Sequence, residues 1–200
     1  MRVAVTGARG LVGAQIVSEF QRDGEVIAFG HEGLDITDAA AVTAAIAAAA
    51  PDVIVNCVAY NGVDRAEGEP VEALTLNAFA VLGLARAAAA AGAAFVHYSS
   101  DFVFDGETDR PYVESDTPNP RSVYGASKLL ADLFALDYER GYVLRVESVF
   151  GKPAPGTRRK GSVDGIVERI RAGEDVPVFV DRVVSPSYTP DIARATRAMV

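Results

Sequence analysis

The chain has 200 residues, half of them hydrophobic and 23% charged, which is enough apolar material for one substantial core and too little charge for disorder. A net charge of −8 argues against a nucleic-acid partner, which rewards a basic face, but leaves room for a small phosphate ligand in a local cradle. A lone cysteine, Cys57, rules out an internal disulfide framework; the N-terminal apolar stretch is too short for a secretory signal and no membrane-spanning run follows it, so a soluble cytoplasmic protein is expected.

Along the chain, short β-branched runs alternate with alanine-rich helical stretches. Residues 3–6, 25–29, 52–56, 94–99 and 142–146 read as buried strands, and residues 11–22, 38–50, 70–91 and 122–139 as helices between them. Continuous apolar strands alternating with helices predict an α/β fold: a parallel sheet covered on both faces, doubly wound by right-handed crossovers. The alanine blocks at 44–50 and 87–91 are good helix formers rather than low-complexity filler, and Gly92 stops the second. From 151 to 161 the chain reads as a long loop, followed by a helix at 162–172, a strand near 176–180 and a helix from Pro190.

Three glycines at a spacing of three, Gly7, Gly10 and Gly13, follow the first strand and open the first helix. Glycines in such a turn let the backbone approach a pyrophosphate, whose charge is met by the free N–H groups of the helix N-terminus. Further on, Tyr124-Gly125-Ala126-Ser127-Lys128 opens the 122–139 helix, where residues four apart share a face. A neighbouring ammonium favours the phenolate, so Lys128 is expected to bring the Tyr124 phenol down toward a range useful for proton transfer. Ser99-Ser100 ends the fourth strand, where strand C-termini converge on a ligand crevice, and Ser100 would hold a substrate carbonyl.

The G-x-x-G-x-x-G spacing resembles the extended short-chain dehydrogenase/reductase family. That resemblance implies that Gly7, Gly10, Leu11 and Gly13 line the pyrophosphate, that Asp35-Ile36 sits at the adenine, and that Cys57-Val58-Ala59-Tyr60 passes under the nicotinamide ribose. Cofactor choice is a question of charge. The second strand ends Phe29-Gly30-His31 without the carboxylate that suits the ribose diol of NAD, although Glu32 follows, and Arg9 could reach a 2′-phosphate. NADP is the expected cofactor, with NAD the alternative.

Within that family, Gly33-Leu34-Asp35-Ile36-Thr37-Asp38, Val55-Asn56-Cys57-Val58-Ala59-Tyr60, Val63-Asp64-Arg65-Ala66-Glu67, Ser99-Ser100-Asp101-Phe102-Val103-Phe104-Asp105-Gly106 and Ser185-Pro186-Ser187-Tyr188-Thr189-Pro190-Asp191 resemble the dTDP-4-dehydrorhamnose reductases. The resemblance implies reduction of the 4-keto group of a dTDP-linked deoxysugar. It makes Ser100, Tyr124 and Lys128 catalytic, with Tyr124 and Lys128 also touching the cofactor, and Asp101, Phe102, Val103 and Ser148 substrate contacts. It also implies an NAD(P)-binding Rossmann domain at 1–150 and a partial substrate-binding region at 151–200, because chains of this family run well beyond 200 residues. The chain departs from the family after the fifth strand, where Ser148 stands in place of a tryptophan and Glu147 in place of a small residue.

The remaining candidates are weaker. Arg158-Arg159-Lys160 could meet a nucleotide diphosphate but reads more simply as a solvated loop. His97 reads as a satisfied core histidine, His31 as a turn residue and Cys57 as a small buried residue; Asp64 and Glu67, three apart, suit either a carboxylate pair or a solvated turn. No metal-ligand spacing is found. The competing functions are an epimerase or dehydratase of the same fold, which regenerates its nicotinamide, and a non-catalytic NADP-binding regulatory subunit, of which the family has a member associated with methionine adenosyltransferase. A homodimer is left open.

Overall fold

The structure, a computed structural model, describes residues 1–152, 161–177, 180 and 183–200. Five parallel strands form one sheet: β1 (Arg2–Thr6), β2 (Glu25–Phe29), β3 (Val53–Asn56), β4 (Ala94–Ser100) and β5 (Gly141–Val146), in the order β2-β1-β3-β4-β5. The register runs Val3 opposite Val26 and Val53, then Phe95 opposite Gly141. The α/β doubly wound reading holds.

Strand alternation sorts the core into two layers. Ala4, Ile54 and Phe95 face one side, covered by α2 (Ala39–Ala49), α5 (Ala80–Ala91) and α6 (Val123–Leu136) through Val42, Ile46, Leu84 and Ala131. Val3, Val5, Val55 and Val96 face the other, under Ile16 and Phe20 of α1 (Leu11–Phe20) and Ile192 and Ala193 of α8 (Thr189–Met199). Thus α8, within the stretch expected to serve the substrate, is part of the sheet's cover, and the Tyr98 hydroxyl and Thr196 Oγ1 lie 2.5 Å apart beneath it.

Helix limits follow from capping. Asp38 accepts from the N–H groups of Ala40 and Ala41 ahead of α2, and Ser122 accepts from Gly125 N–H at 3.0 Å ahead of α6. Two short helices, α3 (Val63–Ala66) and α4 (Pro70–Leu74), line the approach to α5, and a π-helical turn over Thr75–Phe79 joins α4 to α5 where one helix was predicted. The stretch Pro70–Ala91 is long and apolar enough to cross a membrane, which the sequence reading denied, yet half of it is buried inside the fold, as a core helix would be. The predicted strand near 176–180 is absent at Val176 and Pro177, and residues 178–179 lie outside the described residues; α7 (Ser162–Ala172) precedes them as predicted.

Candidate active site

Strand order reverses between β1 and β3, and open α/β sheets bind ligands at the carboxyl ends flanking such a switch point. There Gly7 adopts φ +67°, and a side chain on it would lie 2.9 Å from the carbonyl carbon and oxygen of Cys57. A Cβ on Gly13 would sit 2.2 Å from the Gly7 carbonyl oxygen, so α1 rests directly on the turn. Gly10 caps α1 without a side-chain acceptor, and no acid occupies the first turn, which leaves the amides from Leu11 onward without a side-chain partner. Gly7, Gly10, Leu11 and Gly13 therefore form a backbone cradle against Cys57 and Val58, with Ala59 and Tyr60 next along the chain, and its chemistry fits a pyrophosphate.

Arg9 lies across the end of β2. A Cβ on Gly30 would stand 3.4 Å from its Nε, and its guanidinium is 3.6 Å from Glu32, with both side chains largely exposed. An exposed ion pair of this kind is weak and yields to a stronger anion. Asp35 is engaged within its own turn: Oδ1 accepts from the Thr37 N–H at 2.9 Å and hydroxyl at 2.7 Å, which lowers its carboxyl below the usual range. Ile36 is a core residue. Burial pushes the Cys57 thiol far up, in keeping with an inert side chain.

At the end of β4 the Ser100 hydroxyl donates to Asp101 Oδ1 at 2.8 Å and accepts from the Phe102 N–H at 3.2 Å. Helix α6 presses on this turn, since a Cβ on Gly125 would lie 2.2 Å from the Phe102 carbonyl oxygen. The Phe102 ring meets the Tyr124 ring edge-on, at 5.6 Å between centroids. Tyr124 is buried beside Ser100. Burial pushes its phenol up, the nearby Ser100 hydroxyl partly opposes this, and the Asp101 charge adds to it. Burial likewise raises Asp101, with Ser100 opposing and Glu147 adding.

The expected lowering of the Tyr124 phenol by Lys128 is not found. Lys128 shares the buried face of α6, but its Nζ turns inward, donating to the Tyr98 carbonyl at 2.5 Å and lying 3.3 Å from His97 Nε2. Burial lowers Lys128 to about 8, opposed by the charge of Asp132. The structure therefore brings Ser100 and Tyr124 together and directs Lys128 into the core behind them.

Of the expected substrate contacts, Asp101 and Phe102 border Ser100 and Tyr124, whereas Val103 is fully buried and has no surface to offer. Ser148 has φ +41° and donates weakly to Glu147 at 3.4 Å. Glu147 itself ties the 185–187 segment to the end of β5: its carboxylate accepts from the Ser185 N–H and its carbonyl from the Ser187 N–H at 2.9 Å. Glu67 accepts from the Val123 N–H at 2.8 Å, at the start of α6. Arg158, Arg159 and Lys160 lie outside the described residues.

Asn77 was missed. Buried in the π-helical turn, its Oδ1 accepts from the Tyr60 N–H at 2.8 Å while Nδ2 donates to the Tyr60 carbonyl at 3.1 Å and Ser127 Oγ at 3.0 Å. It joins the strand β3 loop to the helix that carries Tyr124. An asparagine amid the apolar run Leu74–Ala85 was its visible signal, because such a residue is a poor interior helix former and is buried only when paired.

All 200 residues match the family described as RmlD substrate binding domain. A dTDP-4-dehydrorhamnose reductase from Streptomyces griseus is 37% identical over 99% of this chain and 64% of its own length. The structure of a dTDP-4-dehydrorhamnose reductase from Bacillus anthracis str. Ames in complex with NADP superposes with a TM-score of 0.92 at 30% identity, covering 99% of this chain and 69% of that one. A UDP-glucose 4-epimerase from Thermotoga maritima, solved with UDP-glucose, gives 0.83 at 26% identity over 98% of this chain and 72% of that one. The chain thus spans just under two thirds of the Streptomyces protein's length. With its glycine cradle, seryl strand end and Tyr124–Lys128 helix on the fold of these proteins, this chain belongs to the RmlD family of extended short-chain dehydrogenase/reductases.

Proposed function

We propose that this chain forms the cofactor-binding and catalytic part of an NADPH-dependent cytoplasmic reductase acting on the 4-keto group of a dTDP-linked deoxysugar. In this reading residues 1–150 hold the cofactor and residues 151–200 begin the substrate-binding region. The observation that carries it is a buried Tyr124 packed edge-on against Phe102, whose N–H donates to Ser100 at the end of β4. When bound, the nicotinamide cofactor supplies a hydride to a carbonyl carbon.

The protein must supply the matching proton. A phenol raised by burial stays protonated at neutral pH, so Tyr124 has a proton to give to the carbonyl oxygen. Ser100 orients that oxygen by turning its hydroxyl from Asp101 to the substrate. Lys128 completes the group, and Arg9 exchanges its exposed Glu32 contact for a 2′-phosphate, which favours NADPH over NADH. The NADP complex of the Bacillus relative supports that preference.

The test is NADPH oxidation against a panel of dTDP-4-keto sugars. Net consumption with one of them supports the reading. Sugar interconversion without net consumption would favour an epimerase, toward which the Thermotoga neighbour leans. Tight NADPH binding with no turnover would favour a regulatory subunit.

A further inference from the structure

Thr6, Asn56, His97 and Lys128 are all at most 1% exposed and form one buried chain of polar groups beneath the glycine cradle. Asn56 Oδ1 accepts from the Val58 N–H at 3.1 Å and the Thr6 hydroxyl at 2.7 Å, and Nδ2 lies 3.2 Å from His97 Nδ1. A backbone N–H can only donate, so the Asn56 atom facing Val58 must be the oxygen. The amide nitrogen then faces His97 and can only donate, so Nδ1 must be bare. Burial holds the ring neutral, and a neutral ring with a bare Nδ1 carries its proton on Nε2. That proton points at Lys128 Nζ, 3.3 Å away. An ammonium presents only protons and cannot receive it, whereas a neutral amine accepts it on its lone pair and still donates to the Tyr98 carbonyl at 2.5 Å.

We propose that His97 is a positioning residue that tunes the proton affinity of Lys128: the tautomer set by Asn56 turns an N–H toward Nζ and disfavours the ammonium while Nζ stays beside the ring, a penalty lifted when Nζ leaves it. Other groups around Nζ bear on that balance. Asp132, one turn along α6, favours the ammonium, but its Oδ2 is occupied by Arg145 Nε of β5 at 3.1 Å. Tyr124, one turn back on α6, is an uncharged phenol, and the Tyr98 hydroxyl on β4 is engaged with Thr196. From β3 Asn56 joins the chain, and the Cys57 thiol that follows it is uncharged. Val58 belongs to the cradle, so the hydrogen bonds connect the cradle backbone to the lysine that the proposed reaction uses. The inference rests on that reading only for its purpose, since its test involves no turnover.

The sequence contains two histidines and three lysines, Lys128, Lys152 and Lys160, which makes their nuclear magnetic resonances separable. Long-range proton–nitrogen spectra of the protein labelled at histidine should show His97 as the neutral Nε2–H tautomer at neutral pH. An Nδ1–H tautomer or an imidazolium would overturn the idea. Titration of the lysine Cε resonances should place the Lys128 midpoint at about 8 or below. In His97→Leu its proton affinity should rise about tenfold, because a fixed proton facing the amine is removed. An unchanged midpoint in that variant would also overturn it. Asn56→Asp, close in shape, replaces the donor facing Nδ1 by an acceptor and should switch His97 to the Nδ1–H tautomer; retention of the Nε2–H form there would count against Asn56 as the controlling group.

Discussion

Replacing Lys128 by Met should make the fold more stable while disabling the site. The Lys128 side chain is buried, and its ammonium is disfavoured enough to bring it from 10.5 to about 8. At about 1.4 kcal/mol per unit, that depression costs about 3 kcal/mol of folding stability at pH 7. The unfolded chain holds the proton more tightly than the native one. The cost is therefore complete below about pH 8 and is relieved as pH rises from about 8 toward 10.5. Met fills the space of the lysine stem and carries no charge, but it forfeits the hydrogen bond to the Tyr98 carbonyl, a loss of about 1–2 kcal/mol. Urea denaturation should find Lys128→Met more stable than the parent by about 1–2 kcal/mol at pH 7. Hydrogen-bond and packing losses are the same at both pH values and cancel in the difference, so the advantage should shrink by about 2 kcal/mol by pH 10. An advantage that does not change with pH would refute the reasoning, because the buried charge would then not be its source. The same variant should bind NADPH more weakly and lose turnover, the pattern of a residue kept for function against stability.

Tyr124→Phe keeps the ring that meets Phe102 and removes only the hydroxyl, so fold and NADPH binding should survive while turnover falls about 10²–10⁴-fold in steady-state assays. Arg9→Ala should weaken NADPH binding by about 1–3 kcal/mol and leave NADH unaffected; equal losses in fluorescence titrations would remove the 2′-phosphate role. The Tyr112 hydroxyl, the Asn119 amide and the Glu107 N–H hold Asp105 down to about 2. Its contribution is present above the ordinary carboxylate value and lost as pH falls from about 4 toward 2, so Asp105→Asn should flatten the acid limb of the stability curve over that window. Unfolding midpoints followed by tyrosine fluorescence would check this.

The sheet was legible because its signal is local and repeated. Val3–Val5, Val53–Val55 and Phe95–Val96 are apolar on both faces, as strands buried under helices must be, and Asp38, Ser122 and Gly92 punctuate the helices with side-chain or left-handed caps. The break in the 70–91 helix was not legible. A π-helical turn arises where Asn77 is drawn to the backbone of Tyr60, a partner 17 residues earlier that no helical period reveals. Val103 differs from its neighbours for a related reason: Asp101 and Phe102 border Ser100 and Tyr124, and the tight turn after β4 buries the third residue.

The candidate site was readable as a set of neighbouring residues, but not as a set of directions. Spacing by four places Tyr124 and Lys128 on one face of α6, and that much is helix geometry. What the face meets is a tertiary matter. Ser127, Ala131, Asp132 and Ala135 extend the same buried stripe, so Lys128 lies against β4 rather than at the crevice mouth. A long side chain buried there must satisfy its head group on whatever the strand offers, here the Tyr98 carbonyl and the His97 ring. An apolar strand that contains a histidine, facing a helix stripe that contains a lysine and an aspartate, is therefore an informative pattern. Each residue alone reads as a satisfied core group. Across the strand–helix contact, the protons they can share allow few arrangements, and in this fold the arrangement left is one that weakens the lysine's hold on its proton.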